Sequence, residues 1–200
     1  MTGVFMKLLV VAGGYLLGSF LPAVVFVKHR TGQTPWETGE NPGSAGVWRL
    51  AGPSYGILTG AFDIAKGILP VTVARQLGME GWWFVASACA PVIGHNWSIF
   101  YGFRGGRGLA TAVGALLCIS WSEMAPACVA GIIASWVTRW TPTLGVVAFP
   151  TGLILMIRRE VEHDRILAAV SVIFLLVLRQ LPWLIEKVQD TRFGRSSRRT

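Results

Sequence analysis

The sequence predicts an all-α membrane protein, and three observations carry that prediction. The 200 residues are 52% hydrophobic and only 14% charged, whereas soluble domains carry about 25% charged residues. Mean hydropathy is +0.54. The apolar residues also gather into long segments, as a bilayer requires and a soluble core does not. The expectation is a single membrane-embedded domain, 1–200, with about seven transmembrane helices and a basic tail over 186–200.

The candidate spans are 4–27, 54–74, 82–101, 108–119, 122–138, 142–157 and 165–185. A crossing takes about 20 mostly apolar residues, so the short fourth and sixth segments predict a half-length or tilted helix. The first carries Lys7 near its start. Its apolar stretch is too long for a signal-peptide core and no A-x-A site closes it, which predicts a retained anchor. Gly14 and Gly18 predict close helix packing in that span. Trp82, Trp83, Trp97, Trp136, Trp140 and Trp183 predict interfacial belts.

Basic residues set the orientation. The segments 28–53, 102–107, 139–141 and the C-terminal end carry twelve of the eighteen lysines and arginines. The opposite side carries Lys7, Arg75, Arg158, Arg159 and Arg165, together with acidic Glu160, Glu162 and Asp164. The N-terminus is therefore expected outside and the C-terminus in the cytoplasm. The net charge of +8 sits largely in loops and in the tail, which points to anionic lipid and not to nucleic acid. Cys89, Cys118 and Cys128 lie in apolar segments, odd in number and without C-x-x-C, so they suggest packing and neither a disulfide framework nor a zinc site. His29, His95 and His163 are scattered over two sides and form no metal cluster. No cofactor and no obligatory protein partner are implied.

Chemistry concentrates in "GHNWSIFYGFRGGRGLATAVG", residues 94–114. Gly105, Gly106 and Gly108 leave backbone N–H groups open to a ligand, Arg104 and Arg107 flank them, and a helix is expected to start near Gly108. Glycine nest, helix start and arginine fork together suit a phosphate or carboxylate; a Gly-rich turn with two topology-setting arginines is the alternative. A second loop on the same face, "TGENPGSAGVWR" over 38–49, offers a flexible glycine-rich backbone with Asn41, Gly43, Ser44 and Arg49. Asp63 and Lys66 lie three apart inside the second span and share a helix face, as a functional site or as a self-neutralising pair. His95 has no Asp five residues on, and no G-x-S-x-G supplies a nucleophile. It suits a loop anchor better than a general base.

On "YLLGS" (15–19), "FDIAKG" (62–67) and the 94–114 stretch, the chain resembles the PlsY family, the bacterial acyl-phosphate-dependent glycerol-3-phosphate acyltransferases. The likeness runs from about residue 10 to 150, with "TPTLG" (141–145) where the family has its third motif. In the first-motif frame Asn41, Gly43 and Arg49 match, while Gly39, Ala45 and Gly46 replace a serine, a threonine and an asparagine. Arg104 and Arg107 replace two lysines, and "LRQLPWL" (178–184) offers Arg179 and Gln180 where the family's last helix has polar positions.

The resemblance implies seven helices with the N-terminus outside, in the bacterial inner membrane. It implies acyl phosphate and glycerol 3-phosphate as substrates, with motif loops meeting on the cytoplasmic face. The catalytic set would be Arg49, Arg107 and His95. Substrate binding would involve Asn41, Gly43, Asn96, Arg104, Gly105, Gly106, Gly108 and Thr111. The changed first motif keeps two alternatives open: a non-catalytic membrane protein binding phosphate-bearing lipids or metabolites, and an acyltransferase with a different acceptor.

Overall fold

A computed structural model describes residues 3–139 and 143–192, with side chains described as far as Leu181. Trp140 and the "TP" of the third-motif segment fall outside the described residues, as does the tail beyond Arg192; so do the side chains of Trp183 and Lys187.

Nine α-helices follow one another among the described residues: α1 (Val4–Ser19), α2 (Pro22–Thr31), α3 (Ser44–Ala51), α4 (Pro53–Gln76), α5 (Gly81–Asn96), α6 (Leu109–Ile119), α7 (Trp121–Thr138), α8 (Thr143–Arg158) and α9 (His163–Arg192). A 3-10 turn, Ile99–Tyr101, follows α5. The helices pack as α1 on α4 and α5, α4 on α5 and α6, α7 on α8, and α9 across α5, α6 and α8. Val71, Val92, Leu116, Met124, Met156 and Leu176 sit at the centre, all 0–1% exposed. Outside that core the surface stays apolar, with Phe5, Ile57, Val146 and Phe174 all more than half exposed. Such a belt belongs against lipid.

Three expectations change. The first span is broken at Phe20–Leu21, because Pro22 opens α2 and holds Leu21 extended (φ −112°, ψ 95°). The third span stops at Asn96, five residues early, where the chain turns so that the Gly106 N–H can donate to the His95 carbonyl at 3.0 Å. The 38–49 loop is not flexible throughout. From Ser44 it is helical, since Gly46 lets the first turn of α3 lie against the Asn41 carbonyl. At 11 residues, α6 rises about 16 Å, a half-length helix as its sequence predicts.

Small residues set the closest crossings. A Cβ at Gly18 would collide with the Pro91 carbonyl, and one at Gly94 with the Tyr15 carbonyl, so α1 and α5 touch backbone to backbone. Gly67 and Gly114 do the same for α4 and α6. These contacts seat α5 on α1 and α6 on α4, beside His95 and Thr111 respectively. The loops collect at opposite ends: Trp36 stacks near Tyr101 at one, while Arg159 pairs with Glu123 and the Gly81 N–H donates to Asp164 at the other.

Candidate functional site

The site is built downward from a buried polar chain. Asp63 and Lys66 on α4 pair at 2.9 Å, both 2–4% exposed. Lys66 also donates to the Phe20 carbonyl at 2.9 Å, at the break between α1 and α2. That break leaves a carbonyl without a helical partner, and the lysine fills the vacancy. His95 lies above them: its Nδ1 is 3.4 Å from Asp63 Oδ1 and 3.4 Å from Thr111 Oγ1. An acid, a lysine, an imidazole and a hydroxyl thus join α4, α5 and α6 into one frame.

Above the frame runs the 102–108 turn. The chain leaves the 3-10 turn through Gly102 and Phe103, both in the left-handed region, with the Phe103 N–H donating to the Ser98 carbonyl at 2.7 Å. Gly105, Gly106 and Gly108 are buried. Gly106 lies so close to the His95 imidazole that a Cβ would strike Nε2. Gly108, at φ 71°, caps α6 and faces Asn96, whose Oδ1 would be 2.5 Å from an added Cβ. Asn96 is itself fully buried, and neither atom of its side-chain amide has a hydrogen-bond partner. The amide is packed against the glycine turn at the start of α6.

Arg179, on α9, completes the turn. Its Nε donates to the Gly106 carbonyl at 3.1 Å and its Nη2 to the Gly105 carbonyl at 3.3 Å, with the guanidinium over the Trp97 ring. It holds the turn from its carbonyl side, while the Gly106 N–H is taken up by the His95 carbonyl and is not open to a ligand as the sequence suggests. The sequence pattern alone does not assign Arg179 to the site. A cation inside the last apolar span was the available signal, because such groups are costly unless they serve a purpose.

Arg107 is half-buried, and burial pulls its guanidinium below its usual value, while the charge of Glu40 works the other way and that of Arg49 adds to the depression. Arg107 is therefore within electrostatic range of both residues of the first loop. Its charge is also felt at Arg179. Arg49, at the end of α3, forks onto Glu40: Nε donates to Oε1 at 2.8 Å and Nη2 to Oε2 at 2.7 Å. That bond holds the Glu40 carboxyl below its usual value, with the charge of Arg49 adding to the effect and burial opposing it.

The expected residues divide accordingly. His95, Asn96, Gly105, Gly106, Gly108 and Thr111 form one buried cluster. Arg107, in the same turn, lies within electrostatic range of Arg49 and Glu40. Asn41 and Gly43 shape the turn that leads into α3, the Gly43 N–H donating to the Asn41 carbonyl at 2.8 Å. Arg104 points elsewhere, exposed, into an open pocket with Thr34, Trp36, Glu37 and Tyr101.

A family model described as glycerol-3-phosphate acyltransferase matches residues 8–187. The glycerol-3-phosphate acyltransferase of Legionella pneumophila (strain Corby) is 45% identical over 105 residues, 52% of this chain and 38% of that protein. That of Salmonella paratyphi B (strain ATCC BAA-1250 / SPB7) is 41% identical over 108 residues, 54% of this chain and 53% of that one. The chain thus spans about half the length of these relatives or less. The crystal structure of PlsY, an integral membrane glycerol 3-phosphate acyltransferase, in its glycerol 3-phosphate form superposes with a TM-score of 0.82 at 25% identity, covering 95% of this chain and 94% of that one. Its lysophosphatidic acid form superposes at 0.81.

Proposed function

This chain is an all-helical membrane protein of the glycerol-3-phosphate acyltransferase family, and on that premise we propose that it moves a fatty acyl group from acyl phosphate to the 1-hydroxyl of glycerol 3-phosphate. The products are lysophosphatidic acid and phosphate. The observation that carries this reading is the buried glycine turn at 105–108, held by His95 and Arg179, with Arg107 in it and within electrostatic range of Arg49.

Acyl phosphate is already a mixed anhydride, so the chain need supply no covalent nucleophile. The acceptor oxygen attacks the acyl carbonyl carbon, a C–O ester bond forms, and the bond to phosphate breaks. The hydroxyl proton leaves with the phosphate group. The protein has to bring two anions together and neutralise them. In this reading Arg49 and Arg107 hold glycerol 3-phosphate, and Gly105, Gly106, Gly108 and Thr111 lie near the acyl-phosphate group. His95 and Asn96 brace the turn, with Asp63 and Lys66 beneath. Arg104 attracts anions from the rim.

The same reading treats 1–200 as a single domain with seven crossings, N-terminus outside and C-terminus cytoplasmic. The site then faces the cytoplasm from the inner membrane of a bacterium. The grouping of Arg49, Arg104 and Arg107 at one end of the helices supports that orientation. A reporter fused after Thr200 tests it, since exposure of that end outside the cell would sink the orientation. The activity is tested by incubating purified protein with palmitoyl phosphate, with and without glycerol 3-phosphate, and following phosphate release. Release that depends on the acceptor supports the enzyme. A second reading, in which the acceptor differs or nothing is transferred, draws on the carboxylate already seated on Arg49. Absence of acceptor-dependent release would favour it.

A further inference from the structure

Arg49 meets Glu40 through two parallel bonds, at 2.8 and 2.7 Å. A guanidinium takes two oxygens of a phosphate with the same planar fork. The fork cannot serve the carboxylate and a phosphate at once. The pair is also held by its frame: the Glu40 N–H donates to the Pro35 carbonyl at 2.8 Å, and Arg49 occupies the last turn of α3. Glu40 is the more enclosed partner, its side chain 28% exposed against 60% for Arg49.

We propose that Glu40 sets the affinity for the acceptor, as an internal anion that occupies the Arg49 fork and yields it to the acceptor's phosphate. The identity of that acceptor rests on the acyl-transfer reading above. Acceptor binding is then an exchange of anions. Arg49 gives up one carboxylate bond pair and gains a phosphate pair, while the displaced carboxylate stays close as a charge that repels the newcomer. A dianionic phosphate can complete the exchange because its greater charge competes with the carboxylate for Arg49 and Arg107 together. Glu40 thus lowers the affinity for the acceptor by the cost of its own displacement.

The test removes the charge and keeps the size. In Glu40→Gln, the KM for glycerol 3-phosphate at saturating palmitoyl phosphate is expected to fall about three- to tenfold, and by more than kcat changes. Glu40→Ala should shift it the same way, while Glu40→Asp, which keeps the charge, should stay nearer the parent. The gain should vanish in the Arg49→Ala background. Calorimetric titration with glycerol 3-phosphate alone should show the same tightening. An unchanged or raised KM and Kd in both Glu40→Gln and Glu40→Ala would overturn the proposal, as would a gain that persists without Arg49. If no variant transfers an acyl group, the acyl-transfer reading fails. The titration still decides Glu40: tighter binding in Glu40→Gln upholds its role, and equal or weaker binding refutes it.

Discussion

The stretches 38–49 and 94–108 are built from the same ingredients, glycines, an asparagine and one or two arginines, yet they fold into opposite conditions. In the second, an added Cβ at Gly105, Gly106 or Gly108 meets the His95 carbonyl, the His95 ring or the Asn96 amide. In the first, one at Gly39 meets nothing within 4 Å. The second is fastened by atoms from α5 and α9; the first supplies its own anion from Glu40. Glycine and arginine mark where an anion can go, but burial decides whether the geometry exists before it arrives. A site fixed beforehand loses less on binding.

The largest effect should come from the frame under the buried turn. Asp63→Asn leaves Lys66 charged and buried without its carboxylate, a loss of about 3–5 kcal/mol for a buried pair. Thermal unfolding in detergent should register it as a lower transition and as less folded protein at equal expression. An unaltered transition would mean that the pair does not support the buried loop. Next comes Arg107→Ala, which removes a half-buried cation worth about 1.5–3 kcal/mol in a charge-assisted contact. Acceptor-dependent phosphate release should drop by about tenfold or more. Arg107→Lys should keep part of the rate, since it keeps the charge but not the fork. Unreduced rates for folded Arg107→Ala would remove Arg107 from the anion site.

The sequence makes the helices legible because lipid tolerates few patterns, and every apolar segment from 4–27 to 165–185 coincides with helix over most of its length. The interruptions are less legible. Pro22 breaks the first span by a local rule that sequence does show. The early stop at Asn96 depends on a distant partner, Gly106, which only the folded chain brings to His95. In the site, spacing alone revealed Asp63–Lys66, because i,i+3 neighbours share a face. Their meeting with His95 and Thr111 joins three helices, and no local pattern encodes it. The place of Arg179 is hidden for the same reason, since it lies 73 residues from the Gly106 carbonyl it holds. The Glu40–Arg49 fork lies within one loop, but the composition of that loop indicates only an open backbone.

A matched pair of glycine substitutions sharpens the contrast between the loops. Gly106→Ala forces a methyl group against the buried His95 ring and should cost about 1–3 kcal/mol as overpacking, with loss of phosphate release. Gly39→Ala has open space but a backbone at φ 76°, so it should cost about 1–2 kcal/mol of local strain. That strain falls on an exposed turn, and release should fall by less. Equal losses of activity from the two would erase the distinction between a fixed and an open loop.

The smallest expected effect is a pH dependence in the first loop. Arg49 holds the Glu40 carboxyl below its ordinary value of 4.5, chiefly through the hydrogen bond. A carboxyl with a lowered value in the folded chain contributes stability that is present above the ordinary value. The contribution disappears as pH falls through the folded value, when the carboxylate protonates and the fork is lost. Arg49 is 60% exposed, so solvent screens the pair and its worth is a few tenths of a kcal/mol, at most about 1. Comparing thermal transitions of the parent and Glu40→Gln should therefore show a slight parent advantage near neutrality that closes on acidification below the ordinary carboxylate range. Added salt should narrow the same gap at neutral pH, because both partners reach solvent. A gap that widens in acid would mean that Glu40 is not held ionised by Arg49, and the open loop would then lack the internal anion that sets it apart from the buried one.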